Sequence, residues 1–178
     1  MTDHTNSKYG TLYFIPVTMG ADNITQVLPP DVVTLAQMLD EFIVENEKTA
    51  RHFLGAIKHK KPIREITLQS LNKRTEDKAL SPLLASLIAG KDVGLMSEAG
   101  CPGIADPGAR LAALAHKKGI RVAPLVGPSS ILLSLMASGL NGQRFTFLGY
   151  LPAERAERIK QLKAIEQRAK THNETQIF

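Results

Sequence analysis

Along this chain, short apolar runs of strand length alternate with longer segments whose apolar positions recur at helical spacing, and the alternation continues to about residue 130. Residues 11–17 (TLYFIPV) predict a first strand. A loop through Gly20 joins it to a helix from about Asp31, for which the Pro29-Pro30 lead suits a start. A short second strand is expected over 42–45. Residues 47–57 place Ala50, Phe53, Leu54 and Ile57 on one helical face and leave Lys48, Arg51 and His52 nearer solvent. A third strand is predicted over 66–71. Within 75–89 the apolar part begins after Ser81-Pro82, a pair suited to a cap and first turn, and ends at Gly90. Residues 92–97 (DVGLMS) predict a fourth strand. The loop over 98–107 holds two glycines and two prolines and opens onto a helix over 108–118, with Leu111, Leu114 and Ala115 as its buried stripe. Residues 121–126 predict a fifth strand, and Gly127-Pro128-Ser129-Ser130 leads into an apolar helix over 131–138.

Strands that are apolar almost throughout, separated by helices, imply an α/β fold: a five-stranded parallel sheet with helices on both faces. Ligands of such sheets lie beyond the carboxyl ends of the strands. After residues 139–142 the pattern changes. Residues 144–151 (RFTFLGYL) predict a sixth strand, Pro152 joins it to a charged amphipathic helix from 153 to about 170, and 175–178 reads as a strand barely begun. The expected organisation is a flexible N-terminus over 1–8, a first α/β domain over 9–142, and the beginning of a second α/β domain over 143–178, its remainder absent.

Composition narrows the picture further. At 178 residues and 43% hydrophobic content, the chain suffices for one full α/β domain and the start of another. No apolar run reaches the length of a membrane span, and the opening MTDHTNSKYG lacks the charged-then-apolar order of a secretory signal, so a cytoplasmic location without a membrane partner is expected. The single cysteine, Cys101, rules out an internal disulfide and a cysteine-based zinc site. Paired histidines at ligand spacing, a phosphate-binding glycine-lysine loop and a nucleophile elbow are also missing from the sequence, and no metal is expected. A net charge of +5 favours a polyanionic partner such as RNA. The densest basic cluster, Lys58-His59-Lys60-Lys61 with Arg64 close behind, has a plain reading as a solvated loop.

The loops at the strand ends carry a more specific signal. Residues 97–111 read SEAGCPGIADPGARL, and residues 124–130 read PLVGPSS. Together they resemble the tetrapyrrole methylase superfamily, in particular its ribosomal RNA 2'-O-ribose branch. That branch has a serine-aspartate-alanine-glycine-threonine-proline segment followed by aspartate-proline-glycine, and a proline-leucine-proline-glycine-proline-serine strand end. The departures are Glu98 for the aspartate, Cys101 for the threonine and Val126 for a proline. Residues 16–20 (PVTMG) occupy the place of the glycine-containing loop after the first strand. Residues 45–51 (ENEKTAR) are similar to a glutamate-aspartate-threonine-arginine segment, with only Glu45 and Arg51 matching cleanly. Where the branch carries a histidine-containing stretch after the third strand, this chain has Leu71-Asn72-Lys73-Arg74-Thr75. The resemblance covers about residues 9–178.

The resemblance implies an S-adenosylmethionine-dependent methyltransferase that works as a homodimer and methylates RNA at a ribose 2'-hydroxyl. The alternatives are a methylase of a tetrapyrrole or another small molecule, and a truncated protein that binds cofactor or a partner without catalysis. Implied cofactor-binding residues are Thr18, Met19 and Gly20 after the first strand, Ala99, Gly100, Cys101 and Pro102 after the fourth, and Ser129 and Ser130 after the fifth. Glycine in such a loop lets main chain approach a ligand closely, or serves the turn alone. Ser129 and Ser130 begin a helix whose free N–H groups suit a carboxylate, and an ordinary N-cap explains them as well. Cys101 reads equally as a small half-buried filler. A ribose hydroxyl needs a base, and Glu98 and Asp106 are the catalytic candidates. Asp106 before Pro107 also has the form of a helix cap, and Glu45 is either a further base or an ion-pair partner of Arg51.

Overall fold

The computed structural model describes residues 8–20 and 23–178, so the flexible segment expected over 1–8 lies almost wholly outside the described residues. Five strands form one parallel sheet: β1 (Thr11–Phe14), β2 (Glu41–Val44), β3 (Thr67–Ser70), β4 (Val93–Met96) and β5 (Arg121–Pro124). Their spatial order is β3-β2-β4-β1-β5. Gly94 in β4 stands beside Tyr13 of β1 and Phe42 of β2. A Cβ there would meet the Phe42 ring at 2.5 Å and the Ile15 side chain at 2.7 Å, so a glycine in mid-strand is what lets both large side chains into the core.

Alternation along each strand divides the core between two faces. On one face Ile15, Phe42, Val44 and Met96 pack against α1 (Ile24–Val27), α2 (Pro30–Met38) and α3 (Glu47–Ala56) through residues including Val32, Ala36, Phe53 and Leu54. On the other, Leu12, Phe14, Ile43, Val93 and Leu95 pack against α4 (Leu80–Leu83), α5 (Ala85–Ile88) and α6 (Gly108–Lys117) through Leu83, Leu84, Leu87, Leu111 and Ala115. The strand order explains the division. The connections from β1 to β2 and from β2 to β3 step one way along the sheet, and those from β3 to β4 and from β4 to β5 step the other. With the usual right-handed crossover, opposite steps put their helices on opposite faces. Because β1 and β4 are neighbours, the loop after β1 departs to one face and the loop after β4 to the other, which opens a crevice at their carboxyl ends.

The elements start for local reasons that the sequence already shows. Pro30 is the first residue of α2, where a missing N–H costs nothing. Asn46 caps α3 by accepting from the Lys48 N–H at 2.9 Å, so the departure from aspartate at this position keeps the cap. The helix expected after Ser81-Pro82 differs from expectation. A 3₁₀ turn over Asp77–Ala79 leads into α4, the pair lies inside that helix, and a break separates α4 from α5; the segment still ends at Gly90, with φ of 86°. β1 is also shorter than expected. Past Phe14 the Ile15 N–H still donates to the Leu95 carbonyl at 2.9 Å, but Pro16 has no N–H to give, and Val17 pairs antiparallel with Gly100 instead.

The chain divides into two compact units, Met1–Pro128 and Ser129–Phe178. The second holds α7 (Ser130–Ser138), β6 (Phe145–Phe147), α8 (Arg155–His172) and β7 (Thr175–Ile177). β6 and β7 are parallel with α8 between them, a β-α-β unit in which Thr175 Oγ1 donates to the Asn141 carbonyl at 2.9 Å. β6 is shorter than the run 144–151 predicted, and α8 begins at Arg155, where Glu154 accepts from the Glu157 N–H at 2.7 Å.

Candidate functional site

Three strand tips build the site. The loop after β1 and the loop after β4 are joined by the Val17 N–H, which donates to the Gly100 carbonyl at 3.0 Å. Gly100 is buried with φ of 68°, and a Cβ on it would lie 3.2 Å from the Pro128 carbonyl and 3.7 Å from Met19 Sδ. Bare main chain at Gly100 is therefore enclosed by the loops after β1 and β5. Next to it the Cys101 thiol donates to the same Pro128 carbonyl at 3.2 Å, and burial pushes its pKa above the ordinary 9.0. A thiol so held is a packing and positioning group more than a nucleophile.

The β4 loop is braced internally. One Asp106 oxygen accepts from the Gly103 N–H at 2.8 Å and the other from the Gly108 N–H at 2.7 Å, at the start of α6. Burial raises the Asp106 pKa, and the hydrogen bonds from the backbone oppose the rise. Gly103 has φ of 86°, and a Cβ there would stand 2.7 Å from the Phe14 ring. Glu98 is exposed, and its backbone N–H donates to a Glu45 carboxylate oxygen at 3.2 Å. Arg51 does not pair with Glu45. It meets Glu47 Oε2 at 2.6 Å, because i,i+4 spacing on α3 brings those two together while Glu45 faces across from the tip of β2 to β4.

Beside these loops lies a cavity of about 560 Å³, within the range of small-ligand sites, whose lining includes Thr18, Gly20, Lys48, His52, Phe53 and Glu98. Of the expected cofactor residues, Thr18 and Gly20 line it. Met19 stands over Gly100, and the Ala99 carbonyl accepts from Ser97 Oγ at 3.1 Å. Pro102 is buried and shares a small void with Asp106. Ser129 caps α7 in the second unit, accepting from the Leu132 N–H at 3.5 Å, and Ser130 is the exposed first residue of that helix. The α3 residues on the cavity wall were not singled out as site residues by sequence reasoning. Their signal was a lysine and a histidine four apart in the first turns of the helix that leaves the β2 tip.

The chain is 32% identical over 165 residues to the ribosomal RNA small subunit methyltransferase I of Xylella fastidiosa, a match covering 93% of this chain and 58% of that one. It is 34% identical over 166 residues to the protein of the same name from Escherichia coli O157:H7, covering 93% and 55%. The chain is thus similar to these methyltransferases over nearly all of its own length. It spans a little over half the length of the curated relatives it matches. No protein-family model matches. Among solved structures, the methyltransferase CobJ aligns over 96% of this chain and 66% of its own at a TM-score of 0.59 and 16% identity. The uroporphyrin-III-C-methyltransferase of Thermus thermophilus aligns over 78% and 59% at 0.52 and 18%. At these identities the two structures speak for the fold, and their α/β architecture agrees with the parallel sheet.

Methyltransferase kinship implies S-adenosylmethionine as the methyl donor. The residues present suit such a group through a ligand-sized cavity bounded by Thr18, Gly20 and Glu98. Among the described residues no group of three or more His, Cys, Asp or Glu is placed to hold a metal, and no helix is long and apolar enough to cross a membrane.

Proposed function

We infer that the protein transfers a methyl group from S-adenosylmethionine to RNA at a ribose 2'-hydroxyl. The observation that carries this reading is kinship over 93% of the chain with proteins named for small-subunit ribosomal RNA methylation. Bound S-adenosylmethionine supplies an electrophilic methyl group on sulfur. This chain's residues hold donor and acceptor in line and exclude water.

In this reading Thr18 and Gly20 bound the donor on the cavity wall, and the Met19–Gly100 contact holds the loops after β1 and β4 together beside it. Glu98 accepts the proton of the ribose hydroxyl as the new carbon–oxygen bond forms and the carbon–sulfur bond breaks. Glu45 fixes the Glu98 backbone for that task. Asp106 serves as a brace, since both its oxygens already accept from backbone N–H groups. The active form is a cytoplasmic homodimer.

The test is transfer of tritiated methyl from S-adenosylmethionine to small-subunit ribosomal RNA taken from a strain lacking this protein, followed by alkaline hydrolysis. A ribose methyl removes the 2'-hydroxyl needed for cleavage, so label is expected in alkali-resistant dinucleotides. Label in mononucleotides would overturn the ribose assignment, and no label in any RNA would overturn the RNA assignment.

A further inference from the structure

Two basic side chains on α3 have no part in the proposed chemistry yet face the cavity. Lys48 and His52, four residues apart and both exposed, line its wall, and neither side chain has a hydrogen-bond or ion-pair partner among the described residues. Arg51, the third basic side chain of this stretch, is tied to Glu47. An unpaired ammonium and an imidazole N–H donor on a wall that also presents Thr49 form an arrangement that receives an oxyanion.

The sheet order distinguishes the two anions available. The glycine of the β4 loop is backed by Pro128, which follows β5, whereas α3 follows β2, and β4 and β1 stand between those flanks. Neighbouring strands lie about 4.8 Å apart, so the two flanks are separated by roughly 14 Å. Glu98, at the tip of β4, lies between them. With the donor bounded by Thr18 and Gly20 on the β1 side and the acceptor on the β2 side, the two meet over Glu98. The nucleotide backbone of the acceptor then falls on the β2 side, where α3 begins.

Building on the RNA reading above, we propose that Lys48 and His52 bind a backbone phosphate of the RNA strand next to the methylated nucleotide. The subsite positions the acceptor: it takes no proton and touches no reacting atom. Its contribution is to affinity and register, with sequence read elsewhere.

The experiment measures two affinities for wild type, Lys48→Ala, Lys48→Arg and the Lys48→Ala/His52→Ala pair. One is for a small-subunit ribosomal RNA transcript at several salt concentrations, and the other is for S-adenosylmethionine by calorimetry. The double variant is expected to bind the transcript several-fold more weakly, with the salt slope reduced by about 1 for each phosphate no longer neutralised. Lys48→Arg is expected to retain most of the binding, and S-adenosylmethionine affinity is expected to stay unchanged throughout. Weaker S-adenosylmethionine binding with intact RNA binding would overturn the proposal and assign the two side chains to the cofactor carboxylate. Unchanged RNA affinity in the double variant would overturn the subsite alone, because wild type would still bind and methylate. A wild type that neither binds nor methylates the transcript would overturn the function reading and the subsite with it.

Discussion

A carboxylate oxygen of Glu45 lies 3.2 Å from the backbone nitrogen of Glu98, 53 residues further along the chain. The bond runs from the tip of β2 to the first turn of the loop after β4, and the Glu45 N–H in turn donates to the Met96 carbonyl at 3.2 Å. One acid thus fixes the main chain that carries another, and leaves the second acid's side chain exposed to the cavity. Both strands are buried, so the geometry between the two acids is set by the sheet and not by the loop.

Glu98→Gln keeps the backbone bond to Glu45 and removes the base. The expected outcome is a fall in methyl-transfer rate of about 10²–10⁴-fold, with S-adenosylmethionine affinity by calorimetry and thermal stability unchanged. A variant that retains the wild-type rate would remove Glu98 from the reaction.

Asp106→Asn tests the bracing role. An amide has one acceptor oxygen, so it keeps one of the two bonds from Gly103 and Gly108 and faces the other N–H with a donor. Unfolding in urea should show a loss of about 1–2 kcal/mol. The pH dependence has a definite sign. The native pKa lies above the ordinary 3.8 because of burial, so between those two values the native state binds more protons than the unfolded chain. Stability therefore declines as pH rises through that window, is fully reduced above the native pKa, and recovers on acidification. The asparagine variant should lack this contribution, visible as a flatter stability–pH curve on the acidic side, above the ordinary carboxylate value of 3.8.

Gly103→Ala places a Cβ 2.7 Å from the Phe14 ring at a residue whose φ is 86°. Strain and overpacking act together, and the expected cost is about 2–4 kcal/mol. The urea midpoint should fall at constant slope. Gly20→Ala is the control: φ is 89° there but a Cβ meets nothing within 4 Å among the described residues, so only the conformational part of the cost remains.

Much of the fold was legible before any coordinates. The apolar runs located all five sheet strands, Pro29-Pro30 marked a helix start, and the SEAGCPG and PLVGPSS loops pointed to the strand tips. Misreadings fell where local pattern met a non-local partner. Pro16 and the Val17–Gly100 bridge ended β1 early, the helix expected after Ser81-Pro82 came out in two short pieces, and Arg51 found Glu47 in place of Glu45.

Periodicity records which side of each segment is buried, because burial depends on the residue's own face and repeats with the geometry of helix or strand. It does not record which strand lies beside which. The sequence alone therefore determined an α/β protein with small residues at its strand tips. Only the tertiary structure decided that β4 lies between β2 and β1, and that order is what brings Glu45 to Glu98, Val17 to Gly100, and the Lys48–His52 wall to the same cavity.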